Sequence, residues 1–405
     1  MIEIIADLQI HSRFARATSK DITLENLEKY AKIKGVDLLG TGDFQHPKWN
    51  KEIKEKLKED ENGILWSATG FPFLWQTEVS LMFSQGGKRR AIHLLIFAPN
   101  TEIADKIVSY LGSKGRLDYD GRPIFGITAE LLVKELKGID ERIEIIPAHC
   151  MTPWFGLYGS DSGFDSLKEC FGEEAKNIYA VESGMSADPA MLWRFKEKIN
   201  IVSFSDAHSF WPWRMGREAT IFEFNELSYN NIIHAIRTGK GMKGTIETPP
   251  EYGKYHWDGH RNCNFSCSPS ETKKLSGICP VCKKKLTIGV DYRVNEIAKE
   301  KEGYTPDNAK HFFKLIPLHE LIAFVYDTSM SSKKAWEVYN NLISKFGNEF
   351  NILLNVKKEI LMAEKMNDKL IELIMQGRQG KLKVKPGYDG VYGEVLESDS
   401  QVKLF

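Results

Sequence analysis

Apolar and polar positions alternate in two rhythms along the first 245 residues. Consecutive or alternating apolar residues at 2–6, 36–40, 73–79, 92–97, 143–147, 178–181 and 201–204 predict strands. Between several of them, over 24–34, 102–111, 129–136 and 189–198, apolar residues recur at the spacing of an amphipathic helix. Residues 226–237 repeat that pattern after the last strand. Strand–helix alternation predicts a parallel sheet, because a parallel crossover needs a helix-length connection. Seven strands in one unit suit a closed or nearly closed α/β barrel, with a doubly wound open sheet as the competitor.

The rhythm breaks at Glu247-Thr-Pro-Pro-Glu251. Residues 246–295 hold four clustered cysteines, many lysines and little apolar periodicity, which predicts a small separate module. Helical periodicity returns over 296–380, at 316–326, 333–346 and 355–375, and predicts an α-helical C-terminal domain. The Gly- and Lys-rich tail, 381–405, is expected to be extended. A chain of 405 residues, 42% hydrophobic and 27% charged, suits two or three soluble globular domains. No run approaches the roughly eighteen apolar residues of a membrane span. The N-terminus opens as a strand without a basic leader, and four of six cysteines crowd one window instead of forming a disulfide framework. A cytoplasmic protein with no membrane partner is expected. Net charge is zero, but Arg261, Lys273, Lys274, Lys283, Lys284 and Lys285 face a single acid, Glu271, within one stretch. That run, or Arg378, Lys381, Lys383 and Lys385, could bind phosphates; a solvated lysine face is the plainer reading.

Ligand-type residues fall at strand ends. Asp7, Gln9 and His11 close the first predicted strand, Asp43 and His46 follow the second, and Glu78 closes the third. His93 lies on the fourth, His149 ends the fifth, Glu182 the sixth, and Asp206 with His208 the seventh. In parallel α/β architectures the carboxyl ends of the strands converge on one face, so these residues would meet. Imidazoles and carboxylates suit divalent ions such as Zn, Mn or Mg, and a carboxylate can bridge two of them. Two or three such ions would clamp a phosphodiester, activate a water and stabilise the leaving oxygen. Singly, His93 or His46 reads as an ordinary packing or surface histidine. Five of ten histidines at or near strand ends, most with an acid close by, do not.

Asp7-Leu-Gln-Ile-His-Ser12, Thr41-Gly-Asp-Phe-Gln-His46, Thr77-Glu78-Val79, Ile92-His93-Leu-Leu95, Pro147-Ala-His149, Val181-Glu182 and Phe204-Ser-Asp-Ala-His208 resemble, in order, the motifs of the polymerase-and-histidinol-phosphatase (PHP) domain. The resemblance covers about residues 1–245 and implies a distorted seven-stranded α/β barrel with two or three catalytic metals. By analogy, Gln9, His11, Glu78 and Asp206 would hold one ion, and His93 and His149 a second that Glu78 bridges. His46 and His208, with Asp43, would hold a third. Glu78, His93, His149 and Asp206 would be indispensable, and His208 or His46 is the candidate general acid should the third site be empty. One departure matters: the first motif usually reads Asp-x-His-x-His, and Gln9 stands where the first histidine belongs. An amide oxygen ligates more weakly and without charge. No histidine between Ser12 and Lys34 completes the third site.

Cys263, Cys267, Cys279 and Cys282 form two close pairs, the second in the manner of a zinc knuckle. Four thiolates close a tetrahedral shell, so one structural Zn is expected, folding a module too small for a core of its own. The spacing within the first pair is unusual, and His256 or His260 could replace Cys263. Cys150 and Cys170 read as packing residues.

Three features turn the substrate toward DNA: the basic cysteine module, including Arg261, and two aromatic loops. One loop follows His149 and carries Trp154, Phe155 and Tyr158; the other follows His208 and carries Trp211, Trp213, Arg214 and Arg217. Aromatics beside a metal site suit stacking on an extruded base, and arginines suit the flanking phosphates. The plainer reading is that these aromatics plug the barrel mouth. With 253–263, the cysteine cluster and 386–392 included, nearly the whole chain resembles the endonuclease Q family of DNA-repair nucleases. That resemblance implies base flipping and cleavage 5′ to a deaminated base (hypoxanthine, uracil, xanthine) or an abasic site, in single- or double-stranded DNA. The competing readings are a PHP phosphomonoesterase acting on a small metabolite and a non-catalytic zinc-ribbon DNA-binding protein. Gln401-Val-Lys-Leu-Phe405 is faintly similar to a sliding-clamp peptide, but a frayed end fits it better.

Overall fold

The computed structural model describes residues 1–396, so the tail peptide 401–405 lies outside them. Strand Ile2–Asp7 lies within an eight-stranded mixed sheet, between Leu38–Gly40, which runs parallel to it, and Ala219–Phe224, which runs antiparallel. A four-stranded sheet orders Ile124–Phe125, Gln76–Gln85, Lys88–Phe97 and Glu144–Pro147, and Ala180–Glu182 pairs in parallel with Asn200–Val202. A main-chain hydrogen bond from Cys150 N to Glu182 O (2.9 Å) joins the four-stranded sheet to this pair, whose own pairing Ser183 N continues to Val202 O (3.0 Å). A bridge between Ile10 and Ala207 returns to the first strand. The fold is mixed α/β, and the strand ends at Gln9, Glu78, His149 and Asp206 gather on one side.

The parallel sheet expected from the alternation is only partly present. Gln76–Gln85 and Lys88–Phe97 form a long antiparallel hairpin through Gly86 and Gly87, both at positive φ, as a tight two-residue turn requires. The polar run from Ser84 to Arg90 hid the hairpin from apolar patterning. Ala219–Phe224 and Met242–Glu247, outside the predicted strands, pair antiparallel. The glycine that breaks the second run is required there: a Cβ on Gly244 would lie 2.1 Å from His311 O. His311–Lys314 pairs in parallel with Met242–Glu247, so the segment expected to be helical contributes a strand to the N-terminal sheet.

Helix Leu24–Lys34 occurs where predicted. Thr23 accepts from Asn26 N, Leu24, Leu27 and Ala31 are buried, and Gly35 ends it at φ 94°. Lys333–Phe346 also matches, capped by Ser332. The helix expected over 355–375 divides into Lys358–Ala363 and Asp368–Arg378, because Lys365 turns to φ 55° and Asn367 caps the second piece. The one expected over 189–198 stops at Leu192, and Trp193 packs edge-on against Phe312.

An aromatic cluster docks the C-terminal helices on the loop that follows His208. Trp211 and Trp213 stack at 5.4 Å, and both meet Trp336. Beneath them, Lys34 pairs with Glu349 at 2.6 Å, both fully buried. No helix among the described residues is long and apolar enough to cross a membrane.

Candidate metal centre

Glu78 is fully buried and faces two ways. Its Oε1 lies 2.7 Å from His93 Nδ1 and 3.6 Å from His149 Nε2, and its Oε2 lies 3.3 Å from His11 Nε2. Glu78, His93 and His149 bring their ligand atoms within 4.8 Å of one another, and so do His11, Asp206 and His208. His11 Nε2 is 3.1 Å from Asp206 Oδ1. Glu78 therefore belongs to one three-residue group and touches the other, and each group has the imidazole–carboxylate chemistry that divalent ions prefer. Gln9 donates from Nε2 to Glu78 Oε2 (2.9 Å) and keeps its Oε1 buried without a partner. An orphaned buried acceptor beside a carboxylate is what a cation would satisfy, so these residues fit a metal.

Local backbone aims these groups. His149 (φ 31°), Asp206 (φ 48°) and Asp43 (φ 40°) all take positive φ, where non-glycine residues rarely sit. Thr152 Oγ1 lies 2.9 Å from His149 Nδ1 and fixes the ring, the support that a ligating histidine usually has. Asp43 does the same for His11, at 2.9 Å from Nδ1, and its other oxygen accepts from Ser12 N and Oγ. Both Asp43 oxygens are thus engaged behind His11.

Electrostatics divide the carboxylates. Burial alone would raise Glu78, but Arg122 and the hydrogen bonds to His11, His149 and His93 hold it well below the usual range. Burial pushes His93 down to about 3, with Arg122 adding to the effect, so its ring is neutral, as a ligand must be. Asp206 stays ionised despite burial, because His208 and His11 adjoin it. Burial pushes Asp7 up to about 6, and it accepts from Ser205 N and Gly216 N. Burial and then Glu218 push Glu182 well above the usual range, and it accepts from the backbone of His149 and Gly184. Asp7 and Glu182 thus clamp the backbone that carries the ligands.

The third ligand set is not assembled. His208 joins the His11–Asp206 group, whereas His46 stacks on Phe14 at 4.4 Å with Nδ1 buried and unpartnered. In the cysteine module, the grouped atoms belong to His260, Cys263, Cys279 and Cys282. His260 Nδ1 is 3.1 Å from Cys263 Sγ and 3.4 Å from Cys282 Sγ. Cys267 falls outside this group though it packs in the same small cluster as Cys279; it is buried, with its Sγ 3.2 Å from Thr272 Oγ1.

The aromatic loops separate into two kinds. Phe155 lies against His93 at 4.4 Å and so borders the metal groups, while Trp154 is exposed and meets Tyr255 edge-on at 5.7 Å. Tyr158 is 1% exposed and packs on Phe195, which removes it from contact with a base. Trp211 and Trp213 are taken up by the aromatic cluster. Arg214 lies 3.6 Å from Glu320, and buried Arg217 donates to Ser205 O (3.1 Å), next to Asp206, and to Tyr392. Arg261 is exposed, its backbone N held by Asp389. Arg122 escaped the sequence reading. It reaches Glu78 Oε1 at 3.2 Å from a loop with no periodicity, and the turn-forming Asp120-Gly-Arg-Pro123 was its only signal.

Comparison with known proteins bears on the whole architecture. Residues 317–381 match the family model described as the MJ0043 C-terminal domain. The uncharacterised protein MJ0043 of Methanocaldococcus jannaschii is 31% identical over 264 residues, 64% of this chain; the chain spans only 32% of that protein's length. The crystal structure of the lesion-specific endonuclease PfuEndoQ from Pyrococcus furiosus superposes at a TM-score of 0.87 with 31% identity, covering 100% of this chain and 98% of that one. Endonuclease Q in complex with a 27-mer duplex substrate carrying an abasic lesion superposes at 0.88 with 30% identity, covering 99% of each chain.

Proposed function

The chain belongs to the endonuclease Q family, and on that premise we propose that it is a metal-dependent endodeoxyribonuclease of DNA repair. Its reaction would be hydrolysis of the phosphodiester 5′ to a deaminated base or abasic site. The observation that carries this reading is Glu78, with one oxygen toward His93 and His149 and the other toward His11.

We read residues 1–245 as a distorted seven-stranded barrel, 246–295 as the zinc-binding module, 296–380 as the helical part that contacts the duplex, and 381–396 as a clasp between them. Glu78, His93 and His149 would hold one divalent ion, and His11, Asp206 and His208, with Gln9 and Glu78 adjoining, a second. When bound, such ions supply charge stabilisation for the phosphoryl group and lower the pKa of the attacking water. His260, Cys263, Cys279 and Cys282 would hold the structural Zn.

The protein's own groups do the rest. Thr152 and Asp43 orient His149 and His11. Trp154 and Phe155 offer an apolar border where an unstacked, weakly paired base can lodge after flipping. His46, stacked on Phe14 and outside both ligand groups, is the candidate general acid for the leaving 3′-oxygen; because burial lowers its pKa, it would have to take up a proton before it could give one. All six cysteines are free, which suits a reducing, cytoplasmic setting.

End-labelled duplex and single-stranded DNA bearing one abasic site or one hypoxanthine, incubated with Mn²⁺ beside undamaged DNA, tests the proposal. A single cut 5′ to the lesion, leaving a 3′-hydroxyl, is expected. Equal cutting of undamaged DNA would refute lesion specificity, and phosphate release from histidinol phosphate without DNA cutting would indicate a phosphomonoesterase.

A further inference from the structure

Arg122 stands over the carboxylate that joins the two ligand groups, 3.2 Å from Glu78 Oε1, with its side chain 26% exposed. Among the described residues this is the one side-chain hydrogen bond of its guanidinium, so further N–H donors remain for a ligand. Its charge also acts on Asp206 and Asp43.

The position is built, not incidental. Gly121 fits against the site with no room for a side chain: a Cβ there would lie 2.2 Å from Asp43 Oδ2 and 2.8 Å from Ala15 Cβ. Gly121 N donates to Phe14 O at 3.1 Å, and Gly121 O accepts from Gln45 Nε2 at 2.6 Å. Asp120 Oδ1 accepts Arg122 N at 3.1 Å, and beyond Arg122 the carbonyl of Pro123 accepts Ser80 N at 3.0 Å. The arginine's backbone is therefore pinned from both sides to the elements that carry Asp43 and Glu78. A rigid cation with an outward fork, placed among carboxylates, suits a tetrahedral anion, because guanidinium donates to two oxygens at once.

Resting on the phosphodiesterase reading above, we propose that Arg122 is a further catalytic residue, which donates N–H hydrogen bonds to a non-bridging oxygen of the scissile phosphate. It keeps its proton throughout. Its contribution grows as charge accumulates on the phosphoryl oxygens, which makes its effect larger on kcat than on KM.

Arg122→Gln and Arg122→Lys separate this role from a merely structural one. Each is assayed on abasic-site DNA and on bis(p-nitrophenyl) phosphate, a plain phosphodiester, at saturating Mn²⁺, with Mn²⁺ binding measured by calorimetry. For Arg122→Gln a fall of about 100- to 1,000-fold in kcat is expected, with Mn²⁺ binding unchanged or tighter because a competing cation has gone. Arg122→Lys should fall between the two, since it restores charge without the fork. Wild-type kcat in Arg122→Gln, or a loss of activity matched by an equal loss of Mn²⁺ affinity, would overturn the proposal. If the wild type spares abasic DNA yet hydrolyses the small diester, the DNA-repair reading fails, and Arg122 is judged on the small diester alone.

Discussion

Removing the carboxylate of Glu349 is expected to destabilise the fold by about 3–5 kcal/mol. Lys34 Nζ and Glu349 Oε1 are 2.6 Å apart, with side chains 1% and 0% exposed. Lys34 also donates to Pro212 O at 2.8 Å, while the two Glu349 oxygens accept Leu318 N at 2.9 Å and Tyr339 OH at 2.7 Å. At an effective dielectric constant of about 20, the pair attraction at this separation is about 6 kcal/mol. Desolvation of both ions offsets most of that. The large effect of Glu349→Ala therefore comes from the stranded ammonium and two unmatched donors, not from a lost net attraction. Glu349→Gln, which keeps an acceptor, should cost about half as much. Lys34→Met with Glu349→Leu, which removes both charges, should return to within about 1–2 kcal/mol of wild type. Urea unfolding followed by tryptophan fluorescence measures all four proteins, because Trp211, Trp213 and Trp336 form the cluster beside the pair. A Glu349→Ala protein within about 1 kcal/mol of wild type, or a double variant no more stable than Glu349→Ala, would refute the reasoning.

Three further outcomes are expected. Gln9→His places a stronger ligand where the buried Oε1 lies unpartnered, and Mn²⁺ affinity by calorimetry should rise about tenfold, or about 1.4 kcal/mol; no change would mean that Gln9 does not face an ion. His260→Ala should lower the zinc content found by elemental analysis while Cys267→Ser leaves it intact, and the opposite pattern would return the fourth position to Cys267. Burial raises Glu218 from 4.5 to about 7, so the folded state holds this proton more tightly than the unfolded chain. The stability it contributes is complete below about pH 4.5 and is lost as pH rises through about 7. Glu218→Gln should remove on the order of 3 kcal/mol of that decline, and parallel stability slopes for variant and wild type between about pH 5 and 8 would contradict this.

Local patterning was enough to place Glu78, His149 and Asp206 near strand ends, His93 on a strand, and the end of helix Leu24–Lys34 at Gly35. Strand alternation, helix spacing and caps are properties of neighbouring residues, so they are written in the sequence. Which partner each polar atom faces is not. His11 meets Asp206 from 195 positions away, and only the packed fold turns Asp43 toward His11 and not toward His46. The same holds for Tyr158, Trp211 and Trp213, whose residue types fit a base-stacking surface equally well until burial assigns them to the core or to the C-terminal helices. Gly86 and Gly87 hid a hairpin behind a polar run, and Arg122 lay in a loop without rhythm. Spacing counted the cysteines, yet whether His260 or Cys267 completes the close group with Cys263, Cys279 and Cys282 depends on how the strands of that module fold back. Residue types and their places near strand ends follow from local pattern; which oxygens and nitrogens converge follows from contacts between distant segments, which no local pattern contains.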